Sequence, residues 1–429
     1  MICLIAFLAC GIDVPPTYSG SVAAILHKHC AGCHRPGEVG PFPLLTYDDA
    51  RKRAAFIADI CRSRRMPPWK AEAGHGSFFD ERRLSDSEIA TLDSWAKAGA
   101  PRGDANAEPK PPVYHDGWQL GKPDLVLRMP ELFTVPADGR DIFQVFVLPT
   151  GLKERRTVAA MEFRPGNRRV VHHALVFLDA TGQARRKDEA HPGPGYPTFG
   201  GVGIMPTGGL GGWAPGNFPR RLPEGIGREL PAGADVVLQV HYHPSGKTET
   251  DSSEIGLYFT PKPAEKLVSN LPLVSRDIDI PPGEAAYRRS VRFTTPEPLT
   301  VIGVTPHMHL IGKEMKVRVV KPDGGETPLI WIRDWDFNWQ DTYLFKEPLR
   351  VPAGARFELE ALYDNSPANP RNPKSPPGRV KWGEQTENEM CLCFVAVIPD
   401  SKEALAKVRQ SAMRQLMTPG MFLRFLGGN

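Results

Sequence analysis

From residue 124 to residue 398 the chain is a succession of short apolar or alternating runs separated by Pro and Gly, and this pattern limits the fold more than any other feature. Asp141 to Leu148, Val170 to Leu178, Val236 to His243, Ser290 to Phe293, Val317 to Val320 and Phe357 to Tyr363 are short for helices and suit strands. Many such strands imply β-sandwiches. A stretch of about 275 residues is large for one sandwich, so a boundary is placed near 278. There Ser275-Arg276 leads into a fresh run and Pro281-Pro282-Gly283.

The remainder of the 429 residues reads differently. Between 19 and 100 two capping boxes stand out. Thr46 with Asp49 opens a run in which Ala50, Phe56, Ile57, Ile60 and Cys61 can share a face, stopping before Pro67-Pro68. Ser85 with Glu88 opens a helix carrying Ile89, Leu92 and Trp95 that ends at Gly99. Residues 104–123 are Pro-rich without periodicity, as in a semi-rigid linker. Asp400 with Glu403 predicts a last helix with Leu405, Val408, Ala412 and Leu416 on one stripe. The expected division is therefore a leader over 1–18, a helical module over 19–103, the linker, sandwiches over 124–278 and 279–398, and a helix and tail over 399–429. Lys plus Arg total 53 against 49 for Asp plus Glu, too even a balance to imply a nucleic-acid partner.

Two sets of residues carry chemistry. The first is Cys30-Ala31-Gly32-Cys33-His34, the Cys-X-X-Cys-His signature of covalent haem attachment. A redox Cys pair and half of a zinc site are the competing readings; the flanks lack both a βαβ pattern and a second ligand pair. With its helical surroundings the segment resembles class I cytochrome c over 19–103. That resemblance implies haem c on Cys30, Cys33 and His34, with Met66 as the sixth ligand and His75 as the runner-up. Arg51, Lys52, Arg53, Arg62, Arg64 and Arg65 lie beside the Met66 loop as a basic cluster, usually a solvated face. Haem of this type is attached outside the bacterial cytoplasm, so the chain is expected to be periplasmic or otherwise extracytoplasmic. Leu8-Ala9-Cys10-Gly11 resembles the end of a lipoprotein signal, so a lipid anchor through Cys10, a cleaved or truncated export signal and an ordinary N-terminus are the three readings.

The second set is spread over four segments: His172-His173, His241-Tyr242-His243, Pro306-His307-Met308-His309 and Met390-Cys391-Leu392-Cys393. His307 and His309 are two apart and project from one face of a strand. Adjacent His172 and His173 would point to opposite faces, so their use on one ion requires a bulge or a strand end. Imidazoles suit copper, zinc, iron or nickel, and an added thioether selects copper. In this order the segments, with Trp213-Ala214, Pro223 to Gly227, Leu238 to Tyr242 and Glu389-Met390-Cys391, resemble the copper type II, ascorbate-dependent monooxygenase family. The resemblance implies two jelly-roll sandwiches, each supplying one copper across a solvent-filled cleft. His172, His173 and His241 would bind the electron-transfer copper; His307, His309 and Met390 would bind the copper that takes dioxygen. Gln239 matches a family position between the two.

Three departures bear on substrate and disulfides. Thr305 and Leu392 stand where the peptide-hydroxylating members have Arg and Asn, so a substrate carboxylate is not recognised in that way. Cys391 has no evident mate, since it shares a strand face with Cys393 and the two are badly placed to bridge each other, and the pairing of Cys61 is left open. His243 replaces a family Gly and is either a spare ligand or a rim residue. The fold class expected is an N-terminal all-α cytochrome c domain followed by two all-β jelly-roll sandwich domains. The function expected is hydroxylation of a C–H bond of a small or peptide-like organic molecule with dioxygen, using two copper ions and haem c. Electrons would come from its own haem, in place of or alongside an external donor such as ascorbate. The alternative is an exported electron-transfer or copper-binding protein that catalyses nothing.

Overall fold

The computed structural model describes residues 15–114, 117–198 and 201–416, so the Cys10 leader lies outside the described residues. The chain divides into two compact units, residues up to Trp69 with Glu81–Tyr114, and Lys70–Asp80 with the chain that follows Tyr114.

In the first unit both capping boxes form. Thr46 and Ser85 each accept from the N–H three residues on, and Asp49 and Glu88 return the bond. The all-α cytochrome c domain expected over 19–103 is nevertheless not what forms. The helices are short, Ala23–His29, Tyr47–Arg51, Ala54–Arg62 and Asp86–Lys97, with a π-helical turn at Tyr18–Val22. Pro36, Gly37, Gly40, Pro41 and Pro43 keep the stretch before Thr46 irregular. The run from Ala50 to Cys61 is split at Lys52-Arg53, so Phe56 is 54% exposed while Ala50, Ile57 and Cys61 reach the core. Tyr18, Leu26, Leu92 and Trp95 complete that core.

The second unit holds the strands. One five-stranded sheet runs Tyr196–Pro197, Ile142–Pro149, Asp235–Tyr242, Val171–Asp179, Gly208–Trp213. Facing it is a sheet of Leu125–Arg128, Glu254–Phe259, Arg156–Arg164, Ile226–Leu230 and Lys266–Leu267. Phe146, Val176, Leu178, Val236 and Leu238 of the first meet Leu127, Val158, Phe163, Ile255 and Leu257 of the second in one core. Asp235–Tyr242, central in its sheet, is buried along its whole length, as its continuous apolar run requires.

Two four-stranded sheets follow. They are Ser269–Ser275, Cys391–Pro399, Leu299–His307, Tyr343–Val351, and Tyr287–Thr294, Arg356–Tyr363, Gly312–Val320, Glu326–Ile332. Strand Ser269–Ser275 thus pairs with Cys391–Pro399, ahead of the boundary expected near 278. Val268, Ile302, Ala396 and Ile398 pack with Leu222 and Ile226, joining the two pairs of sheets. The last helix, Lys402–Leu416, buries Leu405, Val408 and Ala412 as its stripe predicts. Its cap is Ser401, whose Oγ accepts from the Ala404 N–H at 3.1 Å, because Asp400 is taken up by Arg350.

Residues 70–80 belong to the strands rather than to the helices. Ala71 pairs with Ile332 at the edge of one four-stranded sheet and Phe78 with Phe345 at the edge of the other. Glu72 N–H donates to the Trp331 carbonyl (2.7 Å) and Phe79 N–H to the Leu344 carbonyl (2.9 Å). The segment covers two edges that would otherwise expose unpaired backbone.

Candidate metal centres

Three strands of one sheet deliver the first cluster. Ile142–Pro149 and Val171–Asp179 flank Asp235–Tyr242, whose His241 lies opposite Phe143 on one side and His173 on the other. The register slips by one residue between Val171 and His173, so His172 is the extra residue of a bulge. That is the irregularity two adjacent ligands require. It turns both rings to one side, with His172 Nδ1 3.1 Å from His173 Nδ1, and His173 Nδ1 3.4 Å from His241 Nδ1. One ligand atom from each of the three histidines lies within 4.8 Å of the others.

Three nitrogens at such distances cannot all satisfy one another through protons, whereas a cation among them takes a lone pair from each. Burial favours the neutral form of His172 and His173, which offers those lone pairs. It lowers the pKa of His172 to about 3 and that of His173 well below the ordinary value, with the neighbouring imidazoles adding. Phe143 stacks on His241 at 4.3 Å and fixes its plane. Behind the cluster stands Asp141, its Oδ2 3.2 Å from His241 Nε2, close but off the line of a straight hydrogen bond. Its other oxygen is 2.7 Å from His243 Nδ1. His243 is therefore a partner of Asp141, exposed on the rim.

His307 ends strand Leu299–His307 opposite Leu392, and His309 follows in the turn, their rings 5.1 Å apart. His307 Nδ1 donates to Gln340 Oε1 (2.6 Å) and His309 Nδ1 to the Asn388 carbonyl (3.2 Å). In both rings the hydrogen bond through Nδ1 leaves Nε2 as the metal-facing atom. Burial lowers His307 to about 4 and His309 well below the ordinary value. Glu389, fully buried, collects the N–H groups of His309 (2.8 Å), Ile311 (2.8 Å), Gly312 (3.1 Å) and Met390 (3.2 Å). Burial pushes its carboxyl up to about 8, against the four donors that favour the charged form. Met390 thereby has its backbone tied to the same carboxylate as His309, and its carbonyl accepts from Tyr363 Oη (2.8 Å).

The two clusters adjoin instead of facing each other across a cleft. The His173 and His307 rings are 6.1 Å apart, and Phe337 lies between His172 (4.8 Å, stacked) and His309 (5.4 Å). The solvent-filled gap implied by the family resemblance is absent among the described residues at this point. Gln239, expected between the sites, has its amide engaged by Thr198 Oγ1 (3.1 Å) and the Gly201 carbonyl (3.3 Å). Sequence reasoning missed Asp141, Phe337 and Gln340. Only Asp334 to Gln340, a dense run of aromatic and amide residues between strands, offered a signal.

Cys30, Cys61, Cys391 and Cys393 are free thiols, the last three buried. Burial, with Cys61 and Cys33 nearby, raises the Cys30 pKa. His34 Nδ1 donates to the Phe42 carbonyl (3.0 Å), which leaves Nε2 for a metal. Gly40 fits against this ring where a Cβ would come within 2.9 Å of His34. Met66, half-buried, follows the helix Ala54–Arg62. His75, the alternative ligand, lies in the 70–80 segment of the second unit, with its ring on Trp331 at 4.8 Å and its Nδ1 on the Ala73 carbonyl. Two of the six residues of the basic cluster pair with carboxylates, Arg62 with Asp59 and Asp93, and Arg64 with Asp86.

The fold and these clusters define a β-sandwich protein equipped to hold metal on histidine. Residues 270–415 match the family model described as "Copper type II ascorbate-dependent monooxygenase, C-terminal domain", a span that includes His307, His309 and Met390. The chain is similar to "DBH-like monooxygenase protein 1" of Gallus gallus, 25% identical over 207 residues covering 44% of this chain and 32% of that protein. Its similarity to the protein of the same name in Homo sapiens is 23% over 365 residues, covering 76% of this chain and 57% of that one. These matches support the copper type II monooxygenase family. The aligned regions span only 32% and 57% of the lengths of those relatives. Among solved structures, the major capsid protein P2 from Bacteriophage PM2 aligns at a TM-score of 0.25 with 8% identity, over 64% of this chain and 96% of that one, too low to define a shared fold.

Proposed function

We propose that the chain is a copper-dependent monooxygenase that places one atom of dioxygen in a C–H bond of an organic substrate and releases the other as water. The observation that carries the reading is the convergence of three imidazoles through Nδ1 beside a second histidine pair presenting Nε2. Copper, when bound, supplies one-electron storage at His172, His173 and His241 and oxygen activation at His307, His309 and Met390. The residues themselves hold ligand geometry. Gln340 and Asn388 orient the second pair and Phe143 the plane of His241, and each set has one buried histidine, His241 and His309. The approach of His173 to His307 gives a short path for an electron between them. Where the peptide-hydroxylating enzymes have Arg, Thr305 is bonded to Thr342 (3.0 Å), so no charge stands there for a substrate carboxylate.

The reaction consumes two electrons, and the Cys30-to-His34 motif supports haem c as one donor, with an external donor as the other. Covalent attachment would use both thiols and leave His34 Nε2 on the iron. That chemistry also supports an extracytoplasmic site of action. Purified protein should contain two coppers and one haem, and Met390→Ala should abolish substrate-dependent oxygen uptake while leaving the three-histidine copper bound. Uptake unchanged in that variant would favour the non-catalytic alternative. Stopped-flow mixing of reduced protein with oxygen and substrate should show haem reoxidation coupled to product.

A further inference from the structure

We propose that Asp141 is a positioning residue shared by both candidate copper sites, orienting His241 in the first and anchoring the segment that carries Met390 in the second. The inference rests on the two-copper reading. Asp141 immediately precedes strand Ile142–Pro149, and because Phe143 pairs with His241, the backbone delivers its carboxylate to the strand end that bears His241 and His243. The side chain is 5% exposed. Since His241 turns Nδ1 toward His173, its Nε2 faces away from the cluster, onto Asp141 Oδ2 at 3.2 Å. A carboxylate beside the outer nitrogen orients a metal-binding imidazole by charge, and once a small turn of the ring aligns the N–H with it, it fixes the tautomer and raises the basicity.

The same oxygen accepts from the Thr386 N–H (3.3 Å) and the Thr386 hydroxyl, while the Asp141 carbonyl accepts from Gln385 Nε2 (3.3 Å). These residues open the short segment that continues to Asn388, whose carbonyl holds His309, and to Glu389 and Met390. One carboxylate from the first pair of sheets thus sets a ligand there and ties down the ligand-bearing turn of the second pair.

The test is titration of metal-free full chain with Cu(I) against a competing chelator, for wild type, Asp141→Asn and Thr386→Val. Wild type should bind two coppers, one lost in His172→Ala and the other in His307→Ala. Asp141→Asn should weaken the three-histidine copper by about 10- to 100-fold and alter its Cu(II) electron paramagnetic resonance spectrum. Thr386→Val, which leaves the His241 partner in place, should keep that affinity and spectrum and weaken only the second copper. It tests the anchoring role even where Asp141→Asn does not fold. Wild-type affinities and spectrum in Asp141→Asn overturn the proposal, as does an unchanged second site in Thr386→Val. A wild-type chain that binds no copper at these histidines sinks the two-copper reading itself, and the positioning role with it.

Discussion

His307 and His309 are each held by a neighbour that fixes one ring nitrogen, and that is where single substitutions should be felt. Gln340 both accepts from His307 Nδ1 and donates through Nε2 to the Phe337 carbonyl, so one side chain orients a ligand and ties it to the aromatic wedge. Gln340→Leu is expected to weaken copper at the second site about 10- to 100-fold and leave the first unchanged, as read by chelator competition. Glu389 takes four N–H groups on two oxygens. In Glu389→Gln an amide NH2 would confront two of those donors, and stability should fall by roughly 2–3 kcal/mol, measured by urea unfolding. Gly312, one of the four, has no room for a side chain, since a Cβ would lie 2.8 Å from Met308 Cβ.

At the level of elements, the strands give the clusters their rigidity and the 70–80 segment closes the sheet edges near them. Phe78 is 2% exposed against Tyr343 (5.3 Å) and Phe345 (5.1 Å). Phe78→Ala should cost about 3 kcal/mol or more in equilibrium unfolding, with accelerated hydrogen exchange along Tyr343–Val351. Strand Arg356–Tyr363 carries Glu358, whose side chain is 6% exposed and bonds Arg318 (2.5 Å) and Arg356 (2.6 Å). Burial alone would raise its pKa, but the two guanidiniums outweigh burial and hold it below the ordinary 4.5. A depressed folded pKa means the unfolded chain binds more protons as acid is added. This stabilisation is therefore complete above pH 4.5 and lost as pH falls through the folded value. Glu358→Gln should cost about 2 kcal/mol at neutral pH and flatten the stability profile below pH 4.5.

For the molecule as a whole, two sheet pairs bring together histidines separated by more than a hundred positions in the chain. Ligand binding to the folded state alone stabilises it by mass action, about 2.7 kcal/mol when free metal is a hundredfold above Kd. Stripping copper with a chelator should therefore lower the melting temperature of the native chain, and the drop should shrink in His173→Ala. A chelator-insensitive melting curve would mean that these histidines hold no metal in the folded protein.

The sequence by itself determined what depends on neighbours along the chain: both capping boxes, most strand runs, the apolar stripe of the last helix and the need for a bulge at His172-His173. These follow from side-chain period and local hydrogen bonding. Helical signals were read too far, into a cytochrome c domain, because capping residues show where a helix starts and not how soon Pro, Gly or a competing sheet edge ends it. Only the tertiary structure decided that residues 70–80 join the sheets, that Asp141, Phe337 and Gln340 surround the histidines, and that the two clusters adjoin. Those are pairings of distant backbone, where register rather than composition chooses which side chains meet.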